Sequence, residues 1–365
     1  MVNNNNNIIS NEGGLTVDPS MKMNLSVSVG ELKLKNPIIL ASCGLGAHSK
    51  TIKKFIEKGF GAIVTKTVTK EPKEGAPLPR IFWYDPKEKN LLSGAEGLRN
   101  PGIERMSEII SECKPLAKRE RCLIIGSVTE QSVEEMGEMA SALVKAGADA
   151  IELNFACPNV GPHIGPSYDK LGKYWSKDSM RAQKAIQYIK NKVNVPVGVK
   201  FPIITLVQPS FLADIEKAKP NYCSFSGGKM PCLVIDTETG NPKFSGSIQL
   251  QIQQKKPILP SITGPVKPMT ILHAAYLSKL ANIPITPAGG IRRGTDVIEA
   301  LMVGASAVQI CTAVYRDMEV NTKILKEISD FMKKKQIKSL LEIKGISLKH
   351  IPNPPLLQVP GVQKN

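Results

Sequence analysis

A thiol flanked by two side-chain amides stands where an apolar run ends, in Ile151-Glu152-Leu153-Asn154-Phe155-Ala156-Cys157-Pro158-Asn159. A cysteine thiolate can hold or move a proton, and an Asn amide offers donor and acceptor together. Two such amides beside a proton-transfer group suit a planar ring with an amide or imide edge. Asn154, Cys157 and Asn159 therefore form the candidate polar centre, with Cys157 as its acid or base. Lys66 and Lys200 each close another apolar run, where an ammonium is costly to bury unless it meets an anion. Such a lysine either snorkels to solvent or stabilises charge developing on a bound group. Further on, Ala288-Gly289-Gly290-Ile291, Gly304-Ala305 and Thr312 let backbone N–H groups approach an anion, as in a barrel phosphate site.

The elements that must position these residues alternate. Short β-rich apolar runs cover Asn36–Ser42, Gly61–Val68, Cys122–Val128, Ala150–Ala156, Pro196–Phe201, Tyr222–Ser226, Ile283–Gly289 and Ala307–Val314. Between them, helical spacing covers Lys50–Lys58, Ile103–Lys118, Ser132–Lys145, Lys177–Val193, Gln208–Lys217, Met269–Leu280 and Gly294–Val303. This alternation predicts parallel strands with crossover helices. An open doubly wound sheet shares the pattern, but eight runs favour closure into an α/β (β/α)8 TIM barrel, whose strand ends gather reactive residues on one face. The polar stretch Gly227–Pro260, with the turn-like Glu238-Thr239-Gly240-Asn241-Pro242, reads as an inserted hairpin or lid. The expected division is an Asn-rich disordered tail over 1–22, one barrel domain over 23–345, and a Pro-rich tail over 346–365.

Composition narrows the classes. The chain of 365 residues, 42% of them hydrophobic, exceeds the roughly 250 residues of a lone barrel, so one domain with extensions is expected. Its net charge of +16 raises the question of an anionic partner, but the lysines are spread out and the densest run, Lys333–Lys335, sits late on a helix. With no aromatic residues interleaved among them, a solvated face is expected rather than a nucleic-acid site. Seven scattered cysteines without a C-x-x-C pair read as free thiols of a reducing compartment, and no metal spacing is present. No apolar run reaches about 18 residues, and neither a signal nor a transit peptide is indicated, so a soluble cytoplasmic protein with no membrane association is expected.

The Asn154-Phe155-Ala156-Cys157-Pro158-Asn159 segment resembles the Asn-x-x-Cys-Pro-Asn signature of the soluble dihydroorotate dehydrogenases. Further matches follow in order from Asn36 to Val314, including Ala41-Ser42, Thr65-Lys66-Thr67, Gly97-Leu98-Arg99-Asn100-Pro101-Gly102, Val199-Lys200, Lys267-Pro268, Gly289-Gly290-Ile291 and Thr312-Ala313. The resemblance implies an FMN-dependent barrel in which Cys157 is the base and a dihydropyrimidine ring is oxidised. It implies FMN contacts from Ala41, Ser42, Lys66, Thr67, Asn154, Lys200, Gly264, Gly289, Gly290, Cys311 and Thr312. Substrate contacts are implied for Lys66, Glu96, Gly97, Leu98, Asn154, Asn159 and Ser226. Lys200 would face the pyrimidine edge of the flavin and Lys66 would lie between flavin and substrate. Pairing into a homodimer and an electron-transfer subunit are implied partners.

The match also departs from the family pattern. Gly94 stands where the family places a substrate-binding Asn, and Cys223-Ser224-Phe225-Ser226 replaces an Asn-Ser or Asn-Thr pair after the sixth strand. Cys311 stands where a glycine is usual. Apart from Lys66, no cationic clamp for a substrate carboxylate is evident, and Glu96 is reminiscent of an acidic residue in dihydropyrimidine dehydrogenase. A site lacking two amides should discriminate substrates differently. Dihydroorotate oxidation leads, another cyclic amide or imide follows, and a non-catalytic flavin-binding subunit is the alternative class. His48 and His163 fall on no matched catalytic position.

Overall fold

Alternation begins the structure: Val27, Val29, Leu32 and Leu34 point inward between polar neighbours, and β1 (Val27–Val29) pairs antiparallel with β2 (Leu32–Leu34). This computed structural model describes residues 23–354 apart from 77, 90–91, 95, 158–170, 227–229, 232–234, 241–260 and 264–265. A Cβ at Gly30, in the turn at φ 58°, would lie 2.4 Å from the Asn221 carbonyl, so the hairpin is pressed against the chain entering a barrel strand.

In chain order there follow β3 (Ile38–Leu40), α1 (Ser49–Glu57), β4 (Ala62–Val64), β5 (Ile81–Trp83), β6 (Leu92–Gly94), α2 (Gly102–Arg119), β7 (Leu123–Val128), α3 (Val133–Lys145), β8 (Ala150–Asn154) and α4 (Ser179–Lys192). Next come β9 (Val197–Pro202), α5 (Ile203–Leu206), α6 (Pro209–Ala218), β10 (Tyr222–Ser226), β11 (Met230–Pro231), β12 (Ser261–Thr263) and α7 (Lys267–Leu280). The chain ends through β13 (Ile285–Ala288), α8 (Gly294–Met302), β14 (Val308–Ile310), α9 (Thr312–Arg316) and α10 (Val320–Lys335).

Eight strands, in the order β10-β13-β14-β3-β4-β7-β8-β9, close a barrel in which every neighbouring pair is parallel. Seven of the eight apolar runs contain one of these strands and Pro196–Phe201 holds all of β9 but Pro202, because a strand buried on both faces has no polar face to alternate. The run Ala307–Val314 is corrected at its end: β14 stops at Ile310 and Thr312–Arg316 is helical. The helices carry local signals, Ser132 Oγ accepting from Glu135 N ahead of α3 and Asp178 Oδ1 from Arg181 N ahead of α4. Lys333–Lys335 form the last turn of α10, where cations complement the helix dipole.

A third sheet, not anticipated as such, joins β11-β12-β6-β5 antiparallel, with Ser93 opposite Ile262 and Phe82 opposite Ser93. Of the expected lid, β11 is an edge strand of this sheet and 237–239 form a turn, while 227–229, 232–234 and 241–260 lie outside the described residues. One glycine inside the barrel is obligatory: a Cβ at Gly198 would fall 2.1 Å from the Tyr222 ring, which lies across β9.

Candidate active site at the strand ends

Because all eight strands run in parallel, their C-terminal ends share one rim. Ala41 and Ser42 follow β3, Lys66 and Thr67 follow β4, Asn154 ends β8 and Cys157 follows it. Lys200 lies in β9, Ser226 ends β10, Gly289 and Gly290 follow β13, and Cys311 and Thr312 follow β14. Glu96, Gly97 and Leu98 come from the loop after β6. Asn159 and Gly264 fall outside the described residues.

A hydroxyl and amide cluster binds the ends of four strands, β3, β4, β7 and β8, together. Thr67 N donates to Ser42 Oγ at 3.0 Å, while Thr67 Oγ1 lies 3.0 Å from Ser42 Oγ and 2.8 Å from Ser127 Oγ. Asn154 Nδ2 donates to Thr67 Oγ1 at 2.9 Å, and its Oδ1 accepts from Ala156 N and Cys157 N, both at 3.1 Å. Asn154 thus caps the loop that carries Cys157, fixing the half-buried thiol at the barrel mouth.

Lys200 belongs to a second network, rooted inside the barrel. Its Nζ donates to Gln309 Oε1 at 3.4 Å, and Gln309 Nε2 donates to Glu152 Oε2 at 2.7 Å. The same oxygen accepts from Ser224 Oγ at 3.1 Å and Tyr222 Oη at 3.2 Å. Glu152 is fully buried, and its Oε1 has no hydrogen-bond partner. Burial, reinforced by the neighbouring Glu152 carboxyl, pushes the Tyr222 hydroxyl well above its ordinary range, so Tyr222 stays a donor. Sequence reasoning missed Glu152 and Gln309 as functional residues. The signal was there, in an acid and an amide each standing mid-strand among residues buried on both faces.

Lys66 is held differently. Its Nζ meets Glu96 Oε2 at 2.5 Å, in a pair whose side chains are 9% and 25% exposed. Burial alone would lower the Lys66 pKa, but the Glu96 charge and hydrogen bond, with Cys157 and Cys43 nearby, raise it above the ordinary lysine value. Glu96 is anchored at its backbone, where its carbonyl accepts from Ala76 N at 3.0 Å and Arg99 N at 3.3 Å. Beyond it Gly97 and Leu98 take positive φ of 62° and 58°. Asn100 clasps that turn, donating from Nδ2 to the Leu98 carbonyl at 2.9 Å and accepting from Gly102 N at 2.9 Å. The carboxylate also passes Gly44 closely: a Cβ there would lie 2.7 Å from Glu96 Oε1 and 3.0 Å from Tyr315 Oη.

Chemically the rim fits a flavin mononucleotide. After β13, Gly289 and Gly290 take φ of 131° and 72°, and a Cβ at Gly290 would lie 2.4 Å from Lys267 N. Backbone rather than side chain therefore lines this corner, as a phosphate cradle requires. Lys200 would offer such a group a cation, and Ser42, Thr67 and Asn154 would offer hydroxyls and an amide. Among the described residues no group of three or more His, Cys, Asp or Glu side chains gathers as metal ligands would. No helix among them is long and apolar enough to cross a membrane.

A closed parallel barrel with a lysine, a capped thiol loop and a glycine cradle on its C-terminal rim defines the class of FMN-dependent (β/α)8 oxidoreductases. The dihydroorotate dehydrogenase family model matches residues 24–332, and the chain belongs to that family, whose members are FMN-dependent oxidoreductases acting on CH–CH groups. Among its relatives, the dihydroorotate dehydrogenase B (NAD(+)) catalytic subunit of Thermoplasma volcanium is 30% identical, over 89% of this chain and 99% of its own. The subunit of the same name from Alkaliphilus metalliredigens is 28% identical, over 89% and 99%. In fold, the chain is similar to a dihydroorotate dehydrogenase from Eimeria tenella solved with ferulenol, with a TM-score of 0.69 at 18% identity, covering 93% of this chain and 92% of that one.

Proposed function

We propose that this enzyme oxidises a dihydropyrimidine ring, the ring class to which the dihydroorotate of its relatives' name belongs, using Cys157 as the base. FMN, when bound, supplies the acceptor for the hydride. The proton leaves the adjacent ring carbon for Cys157 Sγ, and the electron pair of that C–H bond becomes the new ring double bond. The observation that carries this reading is the Asn154 cap, which holds the Cys157 backbone at 3.1 Å and so presents one thiol at a fixed height on the rim. Lys66 stands close enough to Cys157 for charge on the two groups to interact. Lys200, held by Gln309, offers a cation to negative charge arising on the ring system. The catalytic-subunit names of the relatives support an electron-transfer partner that receives the reducing equivalents. A homodimer, expected from the resemblance, belongs to the same proposal.

Cys157→Ser tests the base. Substrate-driven bleaching of the flavin band, followed anaerobically by stopped-flow absorbance with dihydroorotate and dihydrouracil, should slow about 100-fold or more. Flavin content should stay at the wild-type level. An unchanged bleaching rate would remove Cys157 from the reaction.

A further inference from the structure

We propose that Glu96 is a charge filter that sets substrate class: it occupies the Lys66 ammonium, so the site takes an uncharged dihydropyrimidine ring in preference to one bearing a ring carboxylate. The inference rests on the dihydropyrimidine reading of the site and refines it. Lys66 is the cation that closes β4 at the rim, and its Nζ is already engaged by Glu96 Oε2 at 2.5 Å. A ring carboxylate aimed at Lys66 must displace that oxygen or lie beside it, and two carboxylates sharing one ammonium repel. An uncharged ring meets no such competition.

Two observations beyond the ion pair show that the position is built. The Glu96 carbonyl accepts from Ala76 N and Arg99 N, and Asn100 clasps the turn that follows, so the side chain leaves a hydrogen-bonded loop. Gly44 then makes room for the carboxylate, since a Cβ there would sit 2.7 Å from Glu96 Oε1.

The filter is read from the ratio of two affinities. Orotate and uracil, which carry the same ring with and without a carboxylate, are titrated calorimetrically into the FMN-loaded protein. The wild type should bind uracil more tightly than orotate. Glu96→Gln, which keeps the shape and removes the charge, should tighten orotate at least about tenfold, the effect of one charge-assisted contact, and leave uracil within about threefold. Gly44→Ala, whose methyl meets only the flexible end of Glu96 and the Tyr315 hydroxyl, should shift the ratio in the same direction by crowding the carboxylate away. If both rings bind and the ratio does not move in Glu96→Gln, the filter is wrong and the ring reading stands. If neither ring binds any of the proteins, the ring reading fails and the filter fails with it.

Discussion

Lys66 and Lys200 both follow apolar stretches of barrel strands at the same rim, and both meet a carboxylate, but at different removes. Lys66 touches Glu96 directly at 2.5 Å, in a pair that solvent partly reaches. Lys200 reaches the fully buried Glu152 only through Gln309, by contacts of 3.4 and 2.7 Å. A direct pair neutralises its lysine for any other anion, whereas a relay positions the ammonium and leaves most of its charge available to a ligand. The two arrangements suit two tasks at one mouth: a lysine withheld from the substrate side, and a lysine offered to the flavin side.

The largest effect expected from this contrast lies in the barrel. Glu152→Leu should cost about 3 to 5 kcal/mol of stability in urea unfolding, because it strands the Tyr222, Ser224 and Gln309 donors in a dry interior. Glu152→Gln keeps an acceptor and should lose far less. Equal losses would mean that the carboxylate is not what organises the network. Next in size, Lys200→Met should slow substrate-driven flavin reduction about 100-fold, the scale of one lost electrostatic contact to developing charge. A fall of only about twofold would show that the relay does not present its cation to the reaction.

The smallest effect is alkaline. The folded Lys66 pKa is raised above the ordinary 10.5, burial being outweighed by Glu96 and then by Cys157 and Cys43. Its contribution to stability is therefore fully present below pH 10.5 and is lost as pH climbs through the higher folded value. In Glu96→Gln only burial and the weaker thiolate charges act on Lys66, so the alkaline decline should vanish. Unfolding free energies of the two proteins, measured from pH 7 upward, should draw together as pH rises past 10.5. Parallel curves would break the distinction between the direct pair and the relay.

Much of this molecule was legible as sequence. Apart from Pro202 at the end of β9, the eight barrel strands lie inside the apolar runs because parallel strands buried on both faces leave an unbroken hydrophobic record. Asn154 and Cys157 were legible as a pair from spacing alone, since a strand end followed by a short loop fixes their separation. The mouth sheet was not read in full, because β5, β6, β11 and β12 are two or three residues each and none carries a periodic pattern long enough to notice. The Lys66–Glu96 contact was also hidden. Each residue was marked as a substrate contact by resemblance, but nothing local says that a loop thirty residues on returns its carboxylate to that lysine. The Gln309 relay depended on closure of β14 against β3 and could be read only once the barrel was closed.

The four-stranded sheet over the mouth also bears on the order in which the molecule assembles. Its central pairing sets Ser93 and Leu92 against Ile262 and Thr263, with four barrel strands of chain between them. Such a distant pairing carries a loop-closure cost that is recovered only after the intervening strands have condensed, so this sheet should form late. Being short, it should also be the first part to open in native-state hydrogen exchange, well below the free energy of global unfolding. Glu96 hangs two residues beyond its β6 strand. Substrate entry and substrate choice would then share one local opening, with the barrel beneath remaining folded throughout.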